Sequence, residues 1–415
     1  MENDISIEEI EELEEQQLGR FEDLGIEPVD YSGGSYDRTF LASDLEGFFQ
    51  ALDGVEPEPY PGSKYDRPAY RKKLSRICNE FLQGCSIAKD KVEIPILGIW
   101  PGKVPGGLYG DLPESGRAIL LFTEGAFSFF ARVFSIVAEA YPFDSSGFDL
   151  EEAANCDVEQ WAHMPSCESA SEAFQTAILD LIIKKESDEL RRELRLPSKF
   201  DPPKHFPMEE REVHWKELDR SFSARKFDDQ CFRFLFGHEF CHILLNRGAL
   251  DVVDVIPQMM ITLRDQTRRA YNIEINCDMI GVEYAIMFAK ATELEPEFGY
   301  AGIFLFFQVW HLVCRCVWRL QLKHEPLPND LIYVRHPPTL IREHYAFDIM
   351  GQIYNQEETA RAMKFRLGLL RILEVFWEKL VPTLDNLREG SIGEHIEPEI
   401  ANNLNPHFTG LYQGS

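Results

Sequence analysis

Two histidines four residues apart, His238 and His242, enclose Glu239 in the segment FGHEFCHILLN at 236–246. On a helix, residues four apart share a face, so both imidazoles can point at one metal ion. Glu239 then sits beside the first ligand, near an open coordination position. A carboxylate there can hold a water, take its proton and pass it on. That is the chemistry H-E-x-x-H serves when it lies on a helix around zinc. Cys231, Phe232, Phe234, Leu235, Phe236, Ile243, Leu244 and Leu245 flank the motif, which predicts a helix crossing a domain interior, and Gly248 is its natural stop.

A third ligand is needed. A histidine at 248 after a glycine at 245 would extend the motif, but the chain has Leu245 and Gly248. The other solution is a Glu from a second helix. Glu274 offers itself, with Asp278 four residues on and on the same face. Asp278 could hydrogen-bond a ligand histidine and fix its tautomer. The neighbours Ile273, Ile275, Cys277, Met279 and Ile280 are apolar. Two carboxylates on so greasy a helix need a partner if buried, and a metal–histidine centre supplies one.

G-H-E-x-x-H, then E-x-x-x-D, then His336-Pro-Pro-Thr-Leu-Ile-Arg342 resembles the gluzincin zinc endopeptidases, in particular the HtpX-like and CAAX-prenyl-type group. The resemblance spans 228–345. It implies zinc on His238, His242 and Glu274 with water in the fourth place. It implies Glu239 as general base and later proton donor, Asp278 as orienting group, and His336 and Arg342 as stabilisers of the oxyanion. By residue type alone, 336–342 also reads as a Pro-initiated helix with Arg342 exposed. The chain departs from the group in lacking an evident membrane span and in carrying Cys277 where the group has a small residue. Its first 200 residues resemble nothing in the group. Soluble peptidases of similar build, such as those that cut a repressor and the Lit-type phage-exclusion enzymes, imply a narrow target.

The elements that must position these residues can be outlined. The chain has 415 residues, with 42 Lys and Arg against 70 Asp and Glu, for a net charge of −28. That balance argues against nucleic acid and against an anionic membrane surface. The apolar stretches 118–140 and 301–320 carry charges and read as buried elements rather than spans. No secretory signal is evident. Nine cysteines without a C-x-x-C pair read as reduced thiols, hence a cytoplasmic setting.

An acidic helix is predicted over 2–24, with Ile5, Ile7, Ile10, Leu13 and Leu18 as its broken stripe; it is either solvated and partly frayed, or a partner-docking helix or autoinhibitory arm. Residues 92–100 and 118–122 read as strands, the first at an edge because of Pro95. The glycine run 106–110 reads as a turn. Helices are predicted over 168–194, 228–246, 268–290, 300–322, 338–352 and 356–380. Residues 251–263 read as a strand or short helix. His311 reads as a core histidine, and His205, His214 and His344 have no partner at metal spacing.

The fold expected is α+β, with a mostly helical zincin-like catalytic half, a small sheet and an N-terminal α+β region. The parts expected are an acidic helix and linker over 1–65, an α+β region over 66–165, the metallopeptidase domain over 166–388, and an irregular tail over 389–415. The function expected is a soluble zinc-dependent endopeptidase cutting a protein or peptide, with the substrate paired to an edge strand at 92–100 or 118–122. The alternatives are a catalytically silent zinc-site protein acting as a regulatory module, and a metal hydrolase of non-peptide substrates.

Overall fold

A computed structural model describes residues 5–23, 28, 63–66, 68–84, 94–141, 154–163, 165–184, 187, 190, 194, 215–255, 265–322, 337–389, 395–397 and 400. They form a mostly helical α+β fold with a small mixed sheet. In chain order the elements are α1 Ile7–Asp23, α2 Pro68–Gly84, β1 Ile96–Trp100, β2 Gly107–Asp111, β3 Ala118–Thr123, α3 Glu124–Ala140, α4 Val158–Ala162 and α5 Pro165–Ile182. There follow α6 Trp215–Asn246, α7 Asp265–Ala291, α8 Pro296–Leu322, α9 Thr339–Ile353 and α10 Gln356–Glu389. Two compact units emerge. One takes in Met1–Ser128 and Leu235–Asp251; the other takes in Phe129–Lys204, Met208–Phe234 and Val252–Ser415.

In the first unit the sheet runs β1-β3-β2. β3 is central, parallel to β1 and antiparallel to β2. Its sequence AILLFT is buried up to Thr123, as a strand covered on both faces requires. Thr123 ends it with a hydroxyl that caps α3 at Ala126 (3.2 Å), accepts from the Gly106 amide (3.0 Å) and donates to the Val104 carbonyl (2.8 Å). One side chain therefore starts a helix and also sets the approach to β2. β1 is the other edge, as Pro95 suggested. α1 packs on it, with Leu13 in a cluster with Ile96, Leu112, Ile119 and Leu121. The expected apolar stripe of α1 is only partly used: Ile7 is 72% exposed, whereas the polar Gln17 is buried.

In the second unit α8 packs against α7, α9 and α10. α6 begins at Trp215, well before the predicted 228; Phe227 is buried there between Phe298 and Phe365 (centroids 5.9 Å from each). The early turns of α6 are too polar for periodicity to reveal. α10 runs through Pro382 to Glu389, past the predicted end at 380. Beyond that proline, Leu384 is buried and Asp385 takes Arg319 of α8 at 2.8–2.9 Å, so packing outweighs the lost hydrogen bond. α5 stops at Ile182, where Ile183 bridges to Ile396. One described helix, Pro296–Gln321, is long and apolar enough to cross a membrane, and 78% of its apolar window is buried inside the structure.

Within the glycine run, residues 107–110 belong to a strand rather than to the predicted turn. Its side chains are too small to show alternation, and its pairing with β3 is what makes it extended. Residues 251–255 have no regular structure; the rest of the expected element at 256–263 lies outside the described residues, as do His205, His214 and His336. The described cysteines are free thiols, and burial pushes the Cys314 thiol up to about 12.

Candidate metal centre

α6 presents two opposed faces where it belongs to the first unit. Phe236 and Phe240 face the core, packing on Phe81 with centroids at 5.6 and 4.8 Å. His238 and His242 are each two residues further on, about 200° around the helix, and so share the opposite side. Both are buried. Their Nε2 atoms face each other at 3.3 Å. The helix ends as predicted. Gly248 takes a positive φ of 66°, its amide reaches the Leu245 carbonyl (3.1 Å), and the Ala249 amide reaches that of Leu244 (2.9 Å).

β2 lies against this face. Gly107 meets Glu239 so closely that a Cβ at 107 would fall 2.5 Å from Glu239 Cγ. Two residues on, and so on the same side of the strand, Tyr109 stacks its ring on His242 with centroids 4.5 Å apart and planes within 8°. Arg247 fastens the far end, donating to Asp111 at the end of β2 and to the Gly116 carbonyl (2.8 Å). Neither Gly107 nor Tyr109 was picked out from the sequence. The signal available was a glycine and an aromatic at strand spacing in a run too glycine-rich to read as a strand.

The ligand atoms of His238, His242 and Glu274 all lie within 4.8 Å of one another, and this group could hold a metal ion. Glu274 is half-buried on α7. One turn on, Asp278 is fully buried and accepts two hydrogen bonds from Arg342 of α9, from Nε and Nη2, each at 2.7 Å. The spacing singled out both residues but did not reveal that they pair. Arg342 is buried, not exposed as the Pro-initiated-helix reading had it. On the same helix Asn276 exchanges hydrogen bonds with the Val253 backbone (2.8 and 3.2 Å), and Asn272 accepts from the Val255 amide (3.0 Å). These amides pin the chain entering α7. Burial pushes the Tyr271 phenol up to about 12, so it stays neutral. His311 is half-buried rather than in the core and shares a hydrogen bond with Thr339 (3.3 Å), and His344 is exposed beside Asp348 (3.7 Å).

No family model, no curated protein and no solved structure matches this chain. The functional reading therefore rests on the residues themselves.

Proposed function

We propose that the chain is a zinc-dependent endopeptidase with a narrow protein or peptide target, acting in the cytoplasm. The observation that carries this reading is the 3.3 Å separation of the two Nε2 atoms beside Glu239. Two zinc–nitrogen bonds of about 2.0–2.1 Å at a tetrahedral angle place their nitrogens about 3.3 Å apart. Two imidazoles and one carboxylate are also a donor set that suits zinc and leaves one place open.

When bound, zinc supplies a Lewis acid and a water that is easier to deprotonate. Glu239 accepts the proton of the attacking water on its carboxylate and delivers it to the leaving amine nitrogen. His336 remains the candidate for steadying the oxyanion. Arg342, paired with Asp278, is better suited to bracing α7 against α9, and so to placing Glu274.

A peptide is favoured over a small substrate by the sheet. β3 is central, and the outer edge of β1 is closed at Ile99 by Asp66 and Gln17. β2 is the edge beside Glu239, and an extended backbone added there would pass the carboxylate. This replaces the two strands expected from the sequence.

Metal analysis of purified protein tests the reading. About one zinc per chain is expected, lost or strongly weakened in Glu274→Ala. Glu239→Gln should keep the metal and abolish cleavage of a peptide library. A wild type that takes up no zinc on reconstitution rules the enzyme out. Zinc retained with cutting unchanged in Glu239→Gln refutes the mechanism.

A further inference from the structure

Asp66 and Gln17 are buried to 1% and 0% exposure. Gln17 Nε2 spends both protons, on Asp66 Oδ1 (3.0 Å) and on the Ile99 carbonyl (2.7 Å). Asp66 Oδ1 also accepts the Ile99 amide (2.8 Å). Two buried atoms are left over, Asp66 Oδ2 and Gln17 Oε1, neither with a hydrogen-bond partner among the described residues. They belong to two planar groups already joined by one N–H···O bond. Turning the amide over makes matters worse, since its oxygen would then face Asp66 Oδ1 and the Ile99 carbonyl, two acceptors. Orphaned buried acceptors are costly, and a single proton on Oδ2 shared with Oε1 would satisfy both.

We propose that Asp66 is a carboxylic acid in the folded protein, donating its Oδ2 proton to Gln17 Oε1. This acid–amide pair is a pH-sensitive latch that holds α1 on the outer edge of β1.

The groups facing Asp66 are Gln17 from α1, the Ile99 amide from β1, the Ser63 amide from the preceding turn and the Arg71 cation from α2. All four favour the ionised form, but burial outweighs them and raises the carboxyl from 3.8 to about 7. Nearby, Glu14 pairs with Lys64 (3.0 Å) and Glu9 with Arg117 (2.9 Å). With α1 undocked, Asp66 meets water and titrates near 3.8. Between those two values the docked state keeps a proton that the undocked state has lost. Docking therefore weakens as pH rises, by roughly tenfold per pH unit across that window, and levels off above it. The latch is separate from the metal centre and does not depend on it.

The test is hydrogen exchange of the α1 amides in the full chain, corrected for intrinsic rates, at several pH values between about 4 and 7. Asp66→Asn keeps the hydrogen-bond pattern, since its amide can donate to Gln17 Oε1, and removes the titration. Glu9 and Glu14 remain in it and set the baseline. Wild-type protection should fall roughly tenfold per pH unit relative to the variant. Equal slopes in the two proteins overturn the latch. Should the variant not fold, the carboxyl-carbon resonance of Asp66 in the wild type decides. A midpoint near 7 supports the proposal, and one near 3.8 overturns it.

Discussion

Glu239 and Gly107 share a space that only a glycine leaves open. A Cβ on residue 107 would lie 2.5 Å from Glu239 Cγ and 2.6 Å from Oε1. The helix gives Glu239 its place in the motif; the strand decides where its carboxylate can go.

Gly107→Ala should therefore push the Glu239 side chain away without touching the two histidines. Misplacing a reacting group by about 1 Å costs on the order of a hundredfold in rate. The expected outcome is a fall of about that size in peptide hydrolysis at unchanged zinc content, read from paired metal and activity assays. Full activity would mean that Glu239 is not the base, or not used in this pose.

Tyr109 holds the plane of His242 by stacking. Tyr109→Phe keeps the ring and its stacking on His242 and should leave metal affinity within a factor of a few. Tyr109→Ala frees the imidazole and should weaken the metal about 10- to 100-fold, as loss of a ligand-orienting partner does. Competition with a chelator of known affinity measures both.

The Asp278–Arg342 pair is buried on both sides. Removing either partner breaks a buried ion pair and should cost about 3–5 kcal/mol, whereas Asp278→Leu with Arg342→Met should recover most of it. Denaturant unfolding of the two single variants and the double variant gives the comparison. If the double variant is as unstable as the singles, the pair does more than cancel its own charge.

Two glycines in helices should respond with opposite signs. At Gly302 in α8 a Cβ would fall 2.2 Å from the Phe227 carbonyl of α6, so Gly302→Ala overpacks a helix crossing and should cost about 1–3 kcal/mol. At Gly351 in α9 nothing lies within 4 Å, so Gly351→Ala should gain about 0.5–1 kcal/mol from helix propensity. Thermal melts distinguish the two, and equal shifts would refute the steric account.

The primary structure alone determined what depends on neighbours a few residues away. The helical period puts His238 and His242 on one face whatever surrounds them, and Gly248 ends that helix because a left-handed residue is needed there. The same period put Glu274 and Asp278 in line on α7. What the tertiary structure decided is which groups from distant parts of the chain meet. That β2 is a strand depends on β3 beside it, since GLYGD has no strand preference of its own. That Asp278 pairs with Arg342, and that Gln17 on an acidic helix is buried against Asp66, depends on packing between elements 49 and 64 residues apart. Such pairings leave no period in the sequence. They are chosen only when burial removes water and each polar group must find a partner inside.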